Sequence, residues 1–157
     1  MSFRIQALKY DSFAHYFGLS DAELRARRAL MRTADKRPGF PCRVSLEDAR
    51  LGERVLLIHH EHLPVESPYR ASHAIYVRES AANKVCEIDE VPELFRTRVL
   101  SLRAFDSDAL IIDADVVAGA ELERKLEGML INDAVAHVDI HFAKTGCFAA
   151  RALRAEA

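Results

Sequence analysis

The sequence predicts an α+β fold: a mainly antiparallel, twisted sheet of about five to seven strands with two main helices packed on it. Three observations carry that expectation. Val135 to Ala143 alternates cleanly, with Ala136, Val138, Ile140 and Phe142 on one face and His137, Asp139 and His141 on the other, which is the two-residue period of a half-buried strand. Val99 to Phe105 and Ala109 to Val117 are two strand-like runs joined only by Asp106, Ser107 and Asp108, a connection that pairs its flanks antiparallel. After Gly119, the residues Leu122, Leu126, Met129 and Leu130 recur at the i, i+4, i+7, i+8 spacing of one buried helix face.

Taken in order, Phe3, Ile5 and Ala7 alternate with Arg4 and Gln6 as a first strand does. A helical turn from Phe13 to Phe17 follows, ended by Gly18. Ser20 with Glu23 makes a capping-box pattern, so a helix is expected from about Asp21 to Met31. Thr33 to Phe40 has loop composition, with Pro38-Gly39 and then Pro41. Ser45 to Asp48 fits one further helical turn, stopped by Gly52. Near Arg54 a long strand begins, apolar on both faces from Val55 to Ile58 as a central strand requires. The period of two puts His60 and His62 on one of its faces. Pro64 and Pro68 bracket the next loop, and Ala74 to Arg78 returns as a strand. Asp89 to Pro92 starts a short helix reaching about Arg96, its acids near the positive helix end. The tail Phe148 to Ala157 reads either as a helix beginning near Cys147 or as a strand after a turn at Lys144 to Gly146. No repeat or linker divides the chain, so one globular domain over residues 1–157 is expected.

Composition narrows the function classes. A chain of 157 residues that is 50% hydrophobic and 29% charged buries a core without staples. Its formal net charge of −2, from 22 basic and 24 acidic side chains, argues against a nucleic-acid binder. The basic cluster from Arg25 to Arg37 fits a solvated helix face. There is no apolar run of about 18 residues and no signal-peptide pattern at the start, so the expectation is a cytoplasmic protein without a membrane partner. Cys42, Cys86 and Cys147 are odd in number and widely spaced, which fits free thiols. Only 6 glycines are present, and neither a phosphate-cradling glycine loop nor a Gly-x-Ser-x-Gly elbow occurs.

Three chemistries remain. His60, His62 and Asp139 form a candidate metal set, with His141 two residues beyond the aspartate. Histidines on a wet strand face are the plainer reading, so a divalent metal is not favoured and no cofactor is assigned. Cys147, His141 and Cys42 are the candidate catalytic residues: a cysteine becomes nucleophilic beside a cation or a helix N-terminus, and a histidine moves protons. Small buried cysteines filling a core are the competing explanation. Arg43, Tyr69, Arg70 and His73 are candidate ligand-binding residues, because a guanidinium presents a planar donor fork to carboxylate or phosphate. Pairing of these arginines with Glu61, Asp113 or Asp115 competes with that role.

Pro41 to Leu46, Pro68 to Ser72, Ile75 to Arg78 and His141 to Cys147 follow one another as PCRVSL, PYRAS, IYVR and HFAKTGC. Together these motifs resemble the bacterial family called domain of unknown function 1203, over nearly the whole chain. Cys42, Arg43, Tyr69, Arg70, His141 and Cys147 match its motif positions. Phe142 and Thr145 stand where the family favours asparagine and proline. The resemblance implies a small bacterial protein and no particular activity. The sequence thus leads to a domain that binds or transforms a small anionic molecule in a pocket of His, Cys and Arg. The alternative is a protein-binding or regulatory module without catalysis. Convergence of Cys42, Arg70, His141 and Cys147 on one concavity separates the two, whereas the oligomeric state leaves no trace in the sequence.

Overall fold

The computed structural model describes residues 1–156; Ala157, the last residue of the tail considered above, lies outside the described residues. The fold is α+β, and its strands form two antiparallel sheets rather than one. In the larger, Phe3–Gln6 (β1), Phe148–Arg154 (β8), His137–Phe142 (β7), Val99–Phe105 (β5) and Ile111–Ala118 (β6) lie side by side in that order. The smaller holds Ala29–Thr33 (β2), Arg54–Leu63 (β3) and Ala71–Arg78 (β4), with β3 in the middle. The expected hairpin of the two central runs is present, with β5 and β6 paired from Val99–Ala118 to Phe105–Ile111. Its turn is held by Asp106, whose Oδ1 accepts from the amides of Asp108 and Leu110, each at 2.9 Å. The tail is a strand, β8, paired to β7.

The helices depart from the sequence reading, because one helix and not two carries the packing. The capping box at Ser20 forms as expected: its hydroxyl accepts from the Glu23 amide at 3.2 Å and the Glu23 carboxylate accepts from the Ser20 amide at 2.7 Å. The helix it opens, Asp21–Ala26 (α1), nevertheless stops after 6 residues. Only Leu24 of α1 is buried, and the next positions on its face are arginines with nothing to cover. Arg28 takes a left-handed φ of 55°, its carbonyl accepts from the His59 amide, and Ala29 to Thr33 pair with β3 instead. Sheet pairing overrides helical continuation here. The second short helix, Glu93–Arg96 (α2), matches the expected end. Leu122–Leu130 (α3), entered through a 3-10 turn at Gly119–Glu121, buries Leu122, Leu126, Met129 and Leu130 on the larger sheet. The turn expected from Phe13 to Phe17 is likewise 3-10, over Ala14–Gly18. The helical turn expected at Ser45 to Asp48 is a non-helical turn, with Leu46 at φ 51°.

Burial follows the alternation on β7 and then exceeds it. Val138, Ile140 and Phe142 join the α3 core, as the pattern requires. On the opposite face Asp139 and His141 are only 0% and 1% exposed, because the second sheet and Phe148 close over them. β3 is covered on both faces: Leu56 and Ile58 pack with Phe13 and Leu24, while Val55 packs with Ala34, Phe40 and Ala49. The seam between the sheets therefore buries polar residues of β3 and β7. Gly119 is needed where α3 begins, since a Cβ there would fall on the Phe95 carbonyl. Its amide donates to the Arg98 carbonyl at 2.7 Å, which anchors the segment carrying Arg98. No helix among the described residues is long and apolar enough to cross a membrane.

Candidate functional site: a cationic cleft and a buried seam

A cleft of about 630 Å³ opens where the Pro41–Arg43 segment, β4, the start of β5 and the β7–β8 turn meet. The segment is fixed by a parallel bridge between Cys42 and Tyr76 and by the Arg43 amide donating to the Tyr76 carbonyl. The turn is tight, with the Phe142 amide bonded to the Cys147 carbonyl and Gly146 at φ 78°, a conformation glycine adopts without a Cβ clash.

Arg43 is the centre of the arrangement and is 1% exposed. Its Nε donates to the Phe148 carbonyl at 2.8 Å, Nη1 to the Pro41 carbonyl at 2.6 Å, and Nη2 to the Cys147 sulfur at 2.8 Å. Burial pushes the guanidinium below its ordinary range, and the nearby Cys147 opposes that shift. The Cys147 sulfur also lies 2.8 Å from the Thr145 hydroxyl. Among the described residues no imidazole nitrogen is hydrogen-bonded to that sulfur. Phe142 faces two guanidiniums, with Arg43 Cζ 4.9 Å and Arg98 Cζ 5.2 Å from its ring centre. The two residues by which this chain departs from its resemblance, Phe142 and Thr145, thus both touch the Arg43–Cys147 pair.

Lys36, Arg43, Arg98 and Lys144 line the cleft, and among the described residues no carboxylate does. Arg98 is held from behind by Asp48, at 2.7 and 3.0 Å. Neither lysine has an acidic partner among the described residues. A second cleft of about 590 Å³, which shares Thr97 with the first, mixes Arg37, Arg50 and Lys84 with Glu47, Asp48 and Glu90. A single sign of charge is therefore a property of the first cleft and not of every concavity in the chain.

Beneath the cleft runs the seam. His141 Nδ1 donates to the Gly146 carbonyl at 3.0 Å, which ties β7 to the turn and leaves Nε2 as the nitrogen with the lone pair. The His62 ring lies 5.1 Å from His141 and stacks on Phe148 at 4.9 Å. Burial first, then His141, pushes His62 down to about 4. Burial likewise lowers His141 to about 4, against the pull of the Gly146 carbonyl. Asp139 receives Arg151 Nε and Nη2 at 2.7 and 3.1 Å.

Of the residues singled out from sequence, Cys147, Arg43 and His73 line the cleft, and His141 sits directly behind it. Cys42 is fully buried with its sulfur accepting from the Ser45 and Arg78 amides, at 3.4 and 3.3 Å. Arg70 is exposed and bound to Glu61 and Glu66, and Tyr69 packs its edge against Phe105 away from the cleft. His60 packs on Phe13, while His62 and Asp139 meet His141. A break in the β3–β4 register between His60 and Leu63 separates the two histidines that a strict period of two places together. Lys36 and Arg98 carried no signal as site residues. Only Lys144, three residues before Cys147 in a turn, had a sequence position that pointed to the cleft.

Searches of curated proteins and of solved structures give no match to this chain. The family model described as "Protein of unknown function (DUF1203)" matches residues 39–154, a span that contains Arg43, Cys147 and every residue of the seam, and the chain belongs to that family.

Proposed function

We propose that the cleft binds a small anionic molecule and presents Cys147 to it. The observation that carries this reading is the set of four cationic side chains on the cleft, of which only Arg98 has an acidic partner, Asp48, among the described residues, with no carboxylate among the described lining residues, in a chain whose net charge is −2. Arg43 adds to it because the acceptors of its hydrogen bonds are two neutral carbonyls and a sulfur, so no acid cancels its charge. Lys36 and Lys144 at the rim attract the ligand, and the low-dielectric wall of Phe142 and Leu57 strengthens that attraction. If the bound molecule is electrophilic, Cys147 is the nucleophile, with Arg43 and Thr145 stabilising the sulfur. His141 acts as a positioning residue, through its bond to Gly146.

Competitive alkylation tests this reading. Iodoacetate and iodoacetamide differ mainly in charge, so their rate ratio at Cys147, compared with the same ratio in the unfolded chain, reports the cleft's field. The ratio rises in the folded protein, inorganic phosphate suppresses the rise, and Lys144→Ala with Lys36→Ala reduces it. An unchanged ratio, insensitive to phosphate, removes the anion-binding reading. A module that docks a protein partner then becomes the better account, and the exposed Ile112 and Val116 of edge strand β6 are where it would start.

A further inference from the structure

We infer that His62, Asp139 and His141 form a binding site for one first-row divalent transition metal at the seam between the two sheets. One ligand atom from each lies within 4.8 Å of the others, and all three residues are buried. Two imidazoles and a carboxylate are a donor set suited to zinc, iron(II) or cobalt(II).

A second observation points to a ligand independently of that spacing. His62, only 9% exposed, has its Nδ1 buried without a hydrogen-bond partner among the described residues. An unpartnered buried nitrogen is costly, and a bound ion is one of the few things that satisfies it. The surroundings match what metal-ligating groups require. The Gly146 carbonyl takes the Nδ1 proton of His141, which fixes its tautomer with Nε2 free. Arg151 takes one lone pair from each oxygen of Asp139, which orients the carboxylate and leaves it further acceptor capacity.

Charge narrows the class of ion. Arg151 touches the carboxylate, and Arg103 is the cross-strand neighbour of Asp139 on β5. Magnesium and calcium are held by oxygen donors and net negative charge, so this seam disfavours them. A transition metal bonds directionally to imidazole nitrogen and tolerates the guanidiniums better. Loading draws the three donors together by up to about 1.5 Å, given tetrahedral metal–nitrogen distances of about 2.0–2.1 Å. Because His62 belongs to β3 and the other two to β7, the ion ties one sheet to the other.

The test uses the full chain, stripped with a chelator and titrated with cobalt(II) while its visible absorption is followed, then with zinc in competition. One ion binds per chain, zinc raises the melting temperature, and the X-ray absorption spectrum of the loaded protein shows imidazole scattering from two rings. His62→Phe keeps the stack on Phe148 and removes both nitrogens, so it weakens binding about 100-fold. His60→Ala leaves binding unchanged. Circular dichroism establishes that each variant is folded, and the absorption spectrum needs no variant at all. Failure to bind at millimolar metal overturns the inference. Equal binding by wild type and folded His62→Phe, or a spectrum without imidazole, does so as well. Anion binding in the cleft is scored separately by alkylation, so either reading can fall alone.

Discussion

The cleft segment around Arg43 and the outer loop around Arg70 start from similar sequence and end in opposite circumstances. Each arginine lies two residues after a proline, Arg43 after Pro41 and Arg70 after Pro68. Arg43 is enclosed, and its bonds run to the carbonyls of Pro41 and Phe148 and to the Cys147 sulfur. Arg70 is exposed, and its bonds run to two glutamates. A guanidinium held by neutral acceptors keeps a field that reaches a ligand; one held by two carboxylates has spent that field on its own chain. Enclosure without an acidic partner is thus what separates Arg43 from Arg70. The same contrast divides the histidines, since His62 and His141 are shut into the seam as neutral rings.

The largest effect that sharpens this contrast is acid sensitivity. The metal-free protein holds His62 and His141 at about 4, whereas in the unfolded chain each returns to about 6.5. Below that value the unfolded state binds more protons, so stability is complete above about pH 6.5 and is lost as the pH falls toward 4. Each ring accounts for roughly 3 kcal/mol between neutral pH and pH 4, together a large share of a domain's stability. Urea unfolding across pH 7 to 4 measures the slope, and His62→Phe flattens it by about half. A stability that stays level down to pH 4 breaks the picture of buried neutral rings.

Arg43→Met comes next. It leaves the Pro41 and Phe148 carbonyls without their donor inside the protein, at a cost of about 3–5 kcal/mol by chemical denaturation. Arg43→Lys recovers only part of the loss, since an ammonium lacks the planar fork that reaches three acceptors at once. Phe142→Leu is milder. It keeps the apolar contact with the α3 core but removes the ring facing Arg43 and Arg98, costing about 1–2 kcal/mol.

The sequence disclosed those parts of the molecule that depend on one element at a time. The alternation of β7, the hairpin of β5 and β6 and the apolar face of α3 are local patterns, and each took the predicted form. What escaped depends on two elements meeting. The polar face of β7 is buried only because a second sheet closes on it, and nothing in Asp139 or His141 announces that sheet. The register break in β3 parts His60 from His62, and no glycine or proline marks it. Arg28 ends α1 because Ala29 to Thr33 have a partner strand available, a tertiary fact written nowhere near Ser20 and its capping box. Arg43 and Arg70 looked alike for the same reason: what covers an arginine is decided elsewhere in the chain.

The smallest effect is the most direct test of the contrast. Arg70→Ala removes two ion pairs whose members are all well exposed, with side-chain exposures of 50% for Arg70, 42% for Glu61 and 96% for Glu66. Water and salt screen such pairs, and holding long side chains in one geometry costs entropy that offsets the attraction. The released glutamates gain full solvation, so the urea midpoint does not move measurably. The iodoacetate preference at Cys147 also stays at its wild-type value, because the loop is not among the residues lining the cleft. A loss of that preference in Arg70→Ala, with Lys36→Ala and Lys144→Ala silent, reverses the assignment: the exposed loop is then the anion site, and the Arg43 enclosure is a structural clasp for the turn that carries Cys147.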